Sequence, residues 1–229
     1  MKILRGLFLL GSVLLLFISI GAQAQTSEKK RVSVTSTERF PFTSGELVFL
    51  KDSFGEVQVE GWERDEVEII VTRSTQKEYL PPEQASETRR LDKIKIIAKK
   101  DVHGDLLIET KNLPFMMKNN LSLLYLIKVP QHIALRVKHS IGEVNLKNII
   151  GSINATCSIG ELSLQLPASE QYDVDMRAKI GDVNSAFGGD PKRQKLLGAK
   201  LLDEAKATEP HKLFLRVGIG DIQVSKMGN

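Results

Sequence analysis

Apolar and polar residues alternate with period two along most of the chain. Val57 and Val59 alternate with Glu56, Gln58 and Glu60, and Ile133, Leu135 and Val137 with Ala134, Arg136 and Lys138. Val67, Ile69 and Val71 follow the same rule, as do Ile94, Ile96 and Ala98. The apolar run from Leu123 to Val129 stops at Pro130, which has no N–H to give to a ladder. Stretches this short and frequent, punctuated by glycine, predict an all-β domain. One helix is predicted at Pro81–Leu91, with proline first, Glu83 early and Arg89 and Arg90 late. Its face is mostly polar, which places it on the surface.

A four-residue unit recurs along the chain: apolar, Gly, acidic, aliphatic. It occurs as Phe54-Gly55-Glu56-Val57, Ile141-Gly142-Glu143-Val144, Ile159-Gly160-Glu161-Leu162, Ile180-Gly181-Asp182-Val183 and Ile219-Gly220-Asp221-Ile222. His103-Gly104-Asp105-Leu106 is a weaker copy. Gly142 and Gly160 are 18 residues apart, Gly160 and Gly181 are 21, and Gly181 and Gly220 are 39, about two such steps. A period near 20 residues belongs to stacked-repeat architectures. Within each unit the two apolar residues are three apart, so the inward phase slips by one at the glycine, as at a positive-φ corner. Ile141 and Val144 are both expected inside, and the acid outside. The pattern predicts a β-solenoid of short stacked strands, each rung on the one before it, with Gly198–Leu202 supplying the missing rung. The alternative is a β-sandwich with glycine corners.

Residues 1–24 read as a signal peptide: Lys2 and Arg5, an apolar run from Leu7 to Ile20, then Ala22 and Ala24 before the cleavage point. Left uncleaved, this segment would be a short membrane anchor. Residues 25–38 read as a flexible leader and residues 39–226 as one all-β repeat domain. The expected location is periplasm, cell surface or medium. The chain has 229 residues, 41% of them hydrophobic and 26% charged, a foldable composition. The formal charge of +4 falls to about +2 without the signal, too little to argue for nucleic acid. A single cysteine, Cys157, excludes a disulfide framework, and its alternating segment makes it a buried apolar residue.

Phe40-Pro41-Phe42, the stretch Gly55 to Trp62, Asp65-Glu66-Val67-Glu68-Ile69, Tyr125 to Pro130 and the closing Leu215 to Ile222 together resemble a bacterial putative-adhesin domain family of unknown function. The resemblance spans Phe40 to Val224. It implies a domain like a right-handed β-helix in exported or membrane-anchored proteins, and it carries no catalytic residues.

Candidate chemistry is sparse. Gly55, Gly142, Gly160, Gly181 and Gly220 are read as structural turns, and Glu56, Glu143, Glu161, Asp182 and Asp221 as a solvated acidic ladder in preference to a cation site. His103, His132, His139 and His211 have no ligand spacing and read as exposed. Asp173 and Asp175 share a strand face and are the only residues that suggest paired carboxylates. Lys192, Arg193 and Lys195 form a basic loop, a candidate anion contact. No cofactor and no metal are expected. The favoured reading is an exported, non-enzymatic adhesion, binding or structural module whose partner is an envelope or surface glycan or protein. The alternatives are a glycan-active enzyme on a β-helix scaffold, using Asp173 or Asp175, and an envelope component that self-associates end to end.

Overall fold

The computed structural model describes residues 28–42, 46–111, 113, 120–194 and 197–228. The signal segment and Lys195 lie outside the described residues. The described residues are all-β with one helix. Its strands are β1 (Lys30–Pro41), β2 (Leu47–Phe54), β3 (Glu56–Trp62), β4 (Glu66–Tyr79), β5 (Lys95–Lys100), β6 (Leu106–Lys111), β7 (Leu121–Pro130), β8 (Ala134–Lys147), β9 (Ile153–Pro167), β10 (Tyr172–Ile180), β11 (Val183–Ser185), β12 (Lys192–Gln194), β13 (Gly198–Asp203), β14 (His211–Ile219) and β15 (Ile222–Met227). Helix α1 spans Pro81–Leu91, where the sequence places it.

The strands are arranged as parallel rows, each with two limbs joined at a glycine. In space the rows run β2–β3, β8, β9, β14–β15, β10–β11, all paired parallel to their neighbours. Equivalent residues form columns across the rows. Val57, Val144, Leu162, Ile222 and Val183 make one inner column on the second limbs, and Leu50, Val137, Ala155, Leu215 and Met176 make one on the first limbs. All ten are buried, and both limbs feed a single apolar core. Removing such side chains from water is the main favourable contribution to the fold.

The corner is built from glycine. Gly55, Gly142, Gly160, Gly220 and Gly181 have φ of +99°, +130°, +136°, +131° and +128°. They also stack. A Cβ on Gly142 would run into the carbonyl oxygen of Gly55, one on Gly160 into that of Gly142, one on Gly220 into that of Gly160, and one on Gly181 into that of Gly220. Both the dihedral and the close approach exclude any other residue. The tight corner corrects one expectation. Ile141, Ile159, Ile219 and Ile180 do not point inward; they are 39–49% exposed. The backbones meet so closely at the corner that no interior volume remains there. The inward residue before each corner is instead His139, Cys157, Val217 or Ala178, two positions earlier.

The order of rows also differs from the expected succession. The last row, β14–β15, is inserted between β9 and β10–β11. The segment Gly198–Asp203 is not a missing rung: β13 lies antiparallel outside β10, and β12 outside β13. At the opposite end β6 and β7 extend the first and second limbs in parallel, followed by antiparallel β5, and by β4 then β1. Residues 30–38, expected in a flexible leader, are part of a strand. Lys30–Pro41 is a strand paired along β4, because Val32 packs into the core and the intervening Ser and Thr residues suit an edge position. Helix α1 buries Leu91 and Glu87, and its first turn is fixed by the Leu80 N–H donating to Glu83 Oε2 at 3.1 Å.

One histidine departs from its expected exposure. His139 is buried at the corner beside Ser53, with Nδ1 and the Ser53 Oγ 2.6 Å apart. Its Nε2 is buried without a hydrogen-bond partner. Cys157 is the adjacent residue of its column, and burial pushes that thiol up to about 11. Desolvation holds the His139 pKa below the usual imidazole value, against the smaller opposing effect of the Gly55 and Ile141 backbone.

Two outcomes follow. Gly160→Ala should lower stability to urea by about 3 kcal/mol or more, while Gly228→Ala, which has open space around it, should be near neutral. Equal effects would contradict the stacked corner. Burial favours the neutral form of His139 in the folded chain, and a solvated imidazole titrates near 6.5, so the unfolded chain takes up the proton first as pH falls. Stability is therefore full above about pH 6.5 and should fall as pH drops below it. Urea midpoints should decline from pH 7.5 to 5.5 in the native chain and flatten in His139→Gln; a native midpoint that rises on acidification would contradict this.

Candidate functional site

Alternation sends every second residue of a first limb outward, so the outer surface of the first limbs is also organised in columns. One column is Lys51, Lys138, Thr156, Arg216 and Arg177, continued by Lys200 on β13. The next column towards the corner holds Ser158, Gly218 and Lys179. Gly218 has no side chain to fill its place, and a Cβ there would press on the Ser158 carbonyl oxygen at 2.4 Å or so. The result is a groove of about 930 Å³ lined by Thr156, Ser158, Arg177, Lys179, Arg216 and Gly218, among others.

Charge in the groove is arranged around Asp175. Its carboxylate accepts from Arg216 Nη2 at 2.5 Å and faces Arg177 Nε at 3.3 Å. Arg216 Nη1 also donates to the Asp175 carbonyl at 2.7 Å, and the guanidinium lies 3.6 Å from the Phe214 ring centroid. Arg216 is therefore fixed in place, while Arg177 and Lys179 are exposed along the groove. Further along the face, Lys111 at 2.7 Å and Lys51 at 3.3 Å flank Glu109, and the hydrogen bond from Lys111 is the larger cause that holds this carboxyl below the usual range. The groove offers fixed positive charge and hydroxyl and backbone donors, which is chemistry for holding an anion.

The sequence-predicted residues are distributed as follows. Gly55, Gly142, Gly160, Gly181 and Gly220 are together at the corner. Glu56, Glu143, Glu161, Asp221 and Asp182 form one column on the outer surface of the second limbs. Asp221 Oδ1 accepts the Asp182 N–H at 2.7 Å, and Glu56 accepts from Gln58 at 2.6 Å. Among the described residues no cluster of three or more His, Cys, Asp or Glu could hold a metal ion. Lys192 is exposed but lies on β12, not in a loop, because Lys192–Gln194 pairs with β13. Arg193 shares that strand, and Lys192 is not among the residues that line the groove. Asp173 and Asp175 both serve the fold: Asp173 Oδ1 accepts the Ala205 N–H at 2.9 Å, and Asp175 holds the two arginines.

Sequence reading missed Arg177, Lys179 and Arg216. The available signal was a cation four residues before the glycine in four of the five units: Lys51, Lys138, Arg177 and Arg216. Among the described residues, no helix is long and apolar enough to cross a membrane.

No family model and no curated protein matches the chain. Among solved structures it is similar to a putative cell adhesion protein from Clostridium sporogenes, at 12% identity and a TM-score of 0.47, over 87% of this chain and 100% of that one. It is also similar to a putative adhesin from Bacteroides fragilis, at 9% identity and a TM-score of 0.31, over 83% of this chain and 97% of that one.

Proposed function

We propose that this chain is an exported, non-enzymatic β-solenoid that acts as an adhesion or binding module for an anionic component of the bacterial envelope or surface. The observation that carries the reading is the groove on the first limbs, with Arg177 and Lys179 exposed and Arg216 locked behind them by Asp175. Parallel rows with a common corner support the solenoid reading, and between β8 and β9 the chain returns directly from one row to the start of its neighbour. The short return between β8 and β9 fits this, with Asn148 at φ +56° and its side chain donating to the Gly61 carbonyl at 3.0 Å. Export is supported by the segment from Lys2 to Ala24. Such a scaffold is rigid along its axis and presents its outer columns at the inter-strand spacing of about 4.8 Å. That suits a repeating anionic polymer, because successive charges on the polymer meet successive rows.

The test is retention of the purified protein on envelope fractions and on immobilised anionic and neutral polysaccharides. Binding should prefer the anionic material and weaken with salt, as contacts between exposed charges do. Arg177→Ser with Lys179→Ser should weaken it roughly five- to tenfold, and Lys192→Ser should leave it unchanged. Equal retention of the double variant, or no retention on any envelope component, would sink the proposal.

A further inference from the structure

The exposed isoleucines form a column of their own. Ile141, Ile159, Ile219 and Ile180 are exposed and paired row by row along the corner, and the half-buried Phe54, packed against the core, continues their line. The column runs for about 19 Å at the inter-strand spacing. Large β-branched residues exposed in a continuous line are unusual on a monomer surface and mark a contact. On one side lies the cationic column of Lys51, Lys138, Arg216 and Arg177, with Lys179 nearer the corner; Lys51 is paired with Glu109, and Arg216 and Arg177 share Asp175, so the column is partly neutralised and stays positive. On the other side lies the acidic column of Glu56, Glu143, Glu161, Asp221 and Asp182. Glu143, Glu161, Asp221 and Asp182 form no ion pair among the described residues. The corner therefore presents three parallel stripes: positive, apolar, negative.

We propose that this ridge pairs with the ridge of a second copy of the chain, about a two-fold axis parallel to the isoleucine column. Such an axis keeps each row opposite the same row of the partner and exchanges left for right. The partner's acidic column then faces the cationic column, and the isoleucines meet along the middle. In four of the five rows a cation and an acid stand five residues apart across the ridge: Lys51 and Glu56, Lys138 and Glu143, Arg216 and Asp221, Arg177 and Asp182. Each row is thus complementary to itself, as an isologous interface requires. A two-fold axis perpendicular to the column would set like charges against each other. A second copy also has the same inter-row spacing, so all rows can engage at once. The apolar ridge is one residue wide, narrow beside the roughly 1,200 Å² that stable complexes bury, so the pairing is weak and seen at high concentration. It differs from end-to-end stacking, which would use the terminal strands.

The test is sedimentation equilibrium of the exported protein in ligand-free buffer, up to about 1 mM. The native chain should show a reversible dimer that dissociates as salt rises. Ile159→Ser with Ile219→Ser should weaken it about tenfold. Glu143→Lys with Asp182→Lys sets cation against cation in two rows, and Lys138→Glu with Lys179→Glu sets acid against acid in the β8 row and weakens the attraction in the β10–β11 row. Each variant alone should dimerise more weakly than the native chain, and an equimolar mixture should pair more tightly than either alone. A strictly monomeric native chain, a dimer indifferent to the isoleucine variant, or a mixture of folded charge variants that pairs no more tightly than either alone would each overturn the proposal. The measurement needs no ligand, so its outcome is independent of whether the groove binds an anion.

Discussion

Everything in this molecule is arranged around a contact between glycine backbones. At the corner of each row the Cα of one glycine lies against the carbonyl of the glycine in the next, through Gly55, Gly142, Gly160, Gly220 and Gly181. The positive φ of these residues turns the chain between its limbs without a side chain to accommodate. Their stacking fixes the register of all five rows at once. Once the corner is aligned, Val57, Val144, Leu162, Ile222 and Val183 meet in one column, and the rest of the core follows by alternation.

The same contact shapes the exterior. Because the backbones close on each other, the residue before each glycine cannot enter the core, and isoleucine is displayed along the outside. The corner also separates two outer surfaces of opposite charge, cations on the first limbs and acids on the second. The groove arises on the cationic side where a further glycine, Gly218, leaves a gap between Ser158 and Lys179. Surface chemistry and core packing are thus two results of one backbone constraint. Arg216 shows how they connect: Asp175 and Phe214, on neighbouring positions of the same face, hold its guanidinium in place.

Much of this architecture could be read from residue order. Period two revealed the strands, and the Gly-acid-aliphatic unit marked the corners, because both are local properties. Proline, glutamate and arginine in sequence marked α1 for the same reason. What failed depended on non-local facts. Isoleucine reads as a core residue by its chemistry, and only the close approach of a neighbouring row forces Ile141 or Ile159 outward. The 39-residue interval between Gly181 and Gly220 fits two successive rungs as well as one insertion, and only the pairing of β14 with both β9 and β10 distinguishes them. His139 was assigned to the surface because isolated polar residues usually lie there, whereas its column is an inward one. The cations before the glycines were visible, but a nearly neutral overall charge hid their alignment on one face.

The central claim is that one glycine column orders the rows, with Gly220 between Gly160 and Gly181. Inter-strand nuclear Overhauser effects in the isotopically labelled protein test it directly. The account predicts cross-peaks between residues 160–162 and 220–222, and between 220–222 and 181–183, with none joining 160–162 to 181–183. Direct cross-peaks between 160–162 and 181–183, with 220–222 elsewhere, would contradict it.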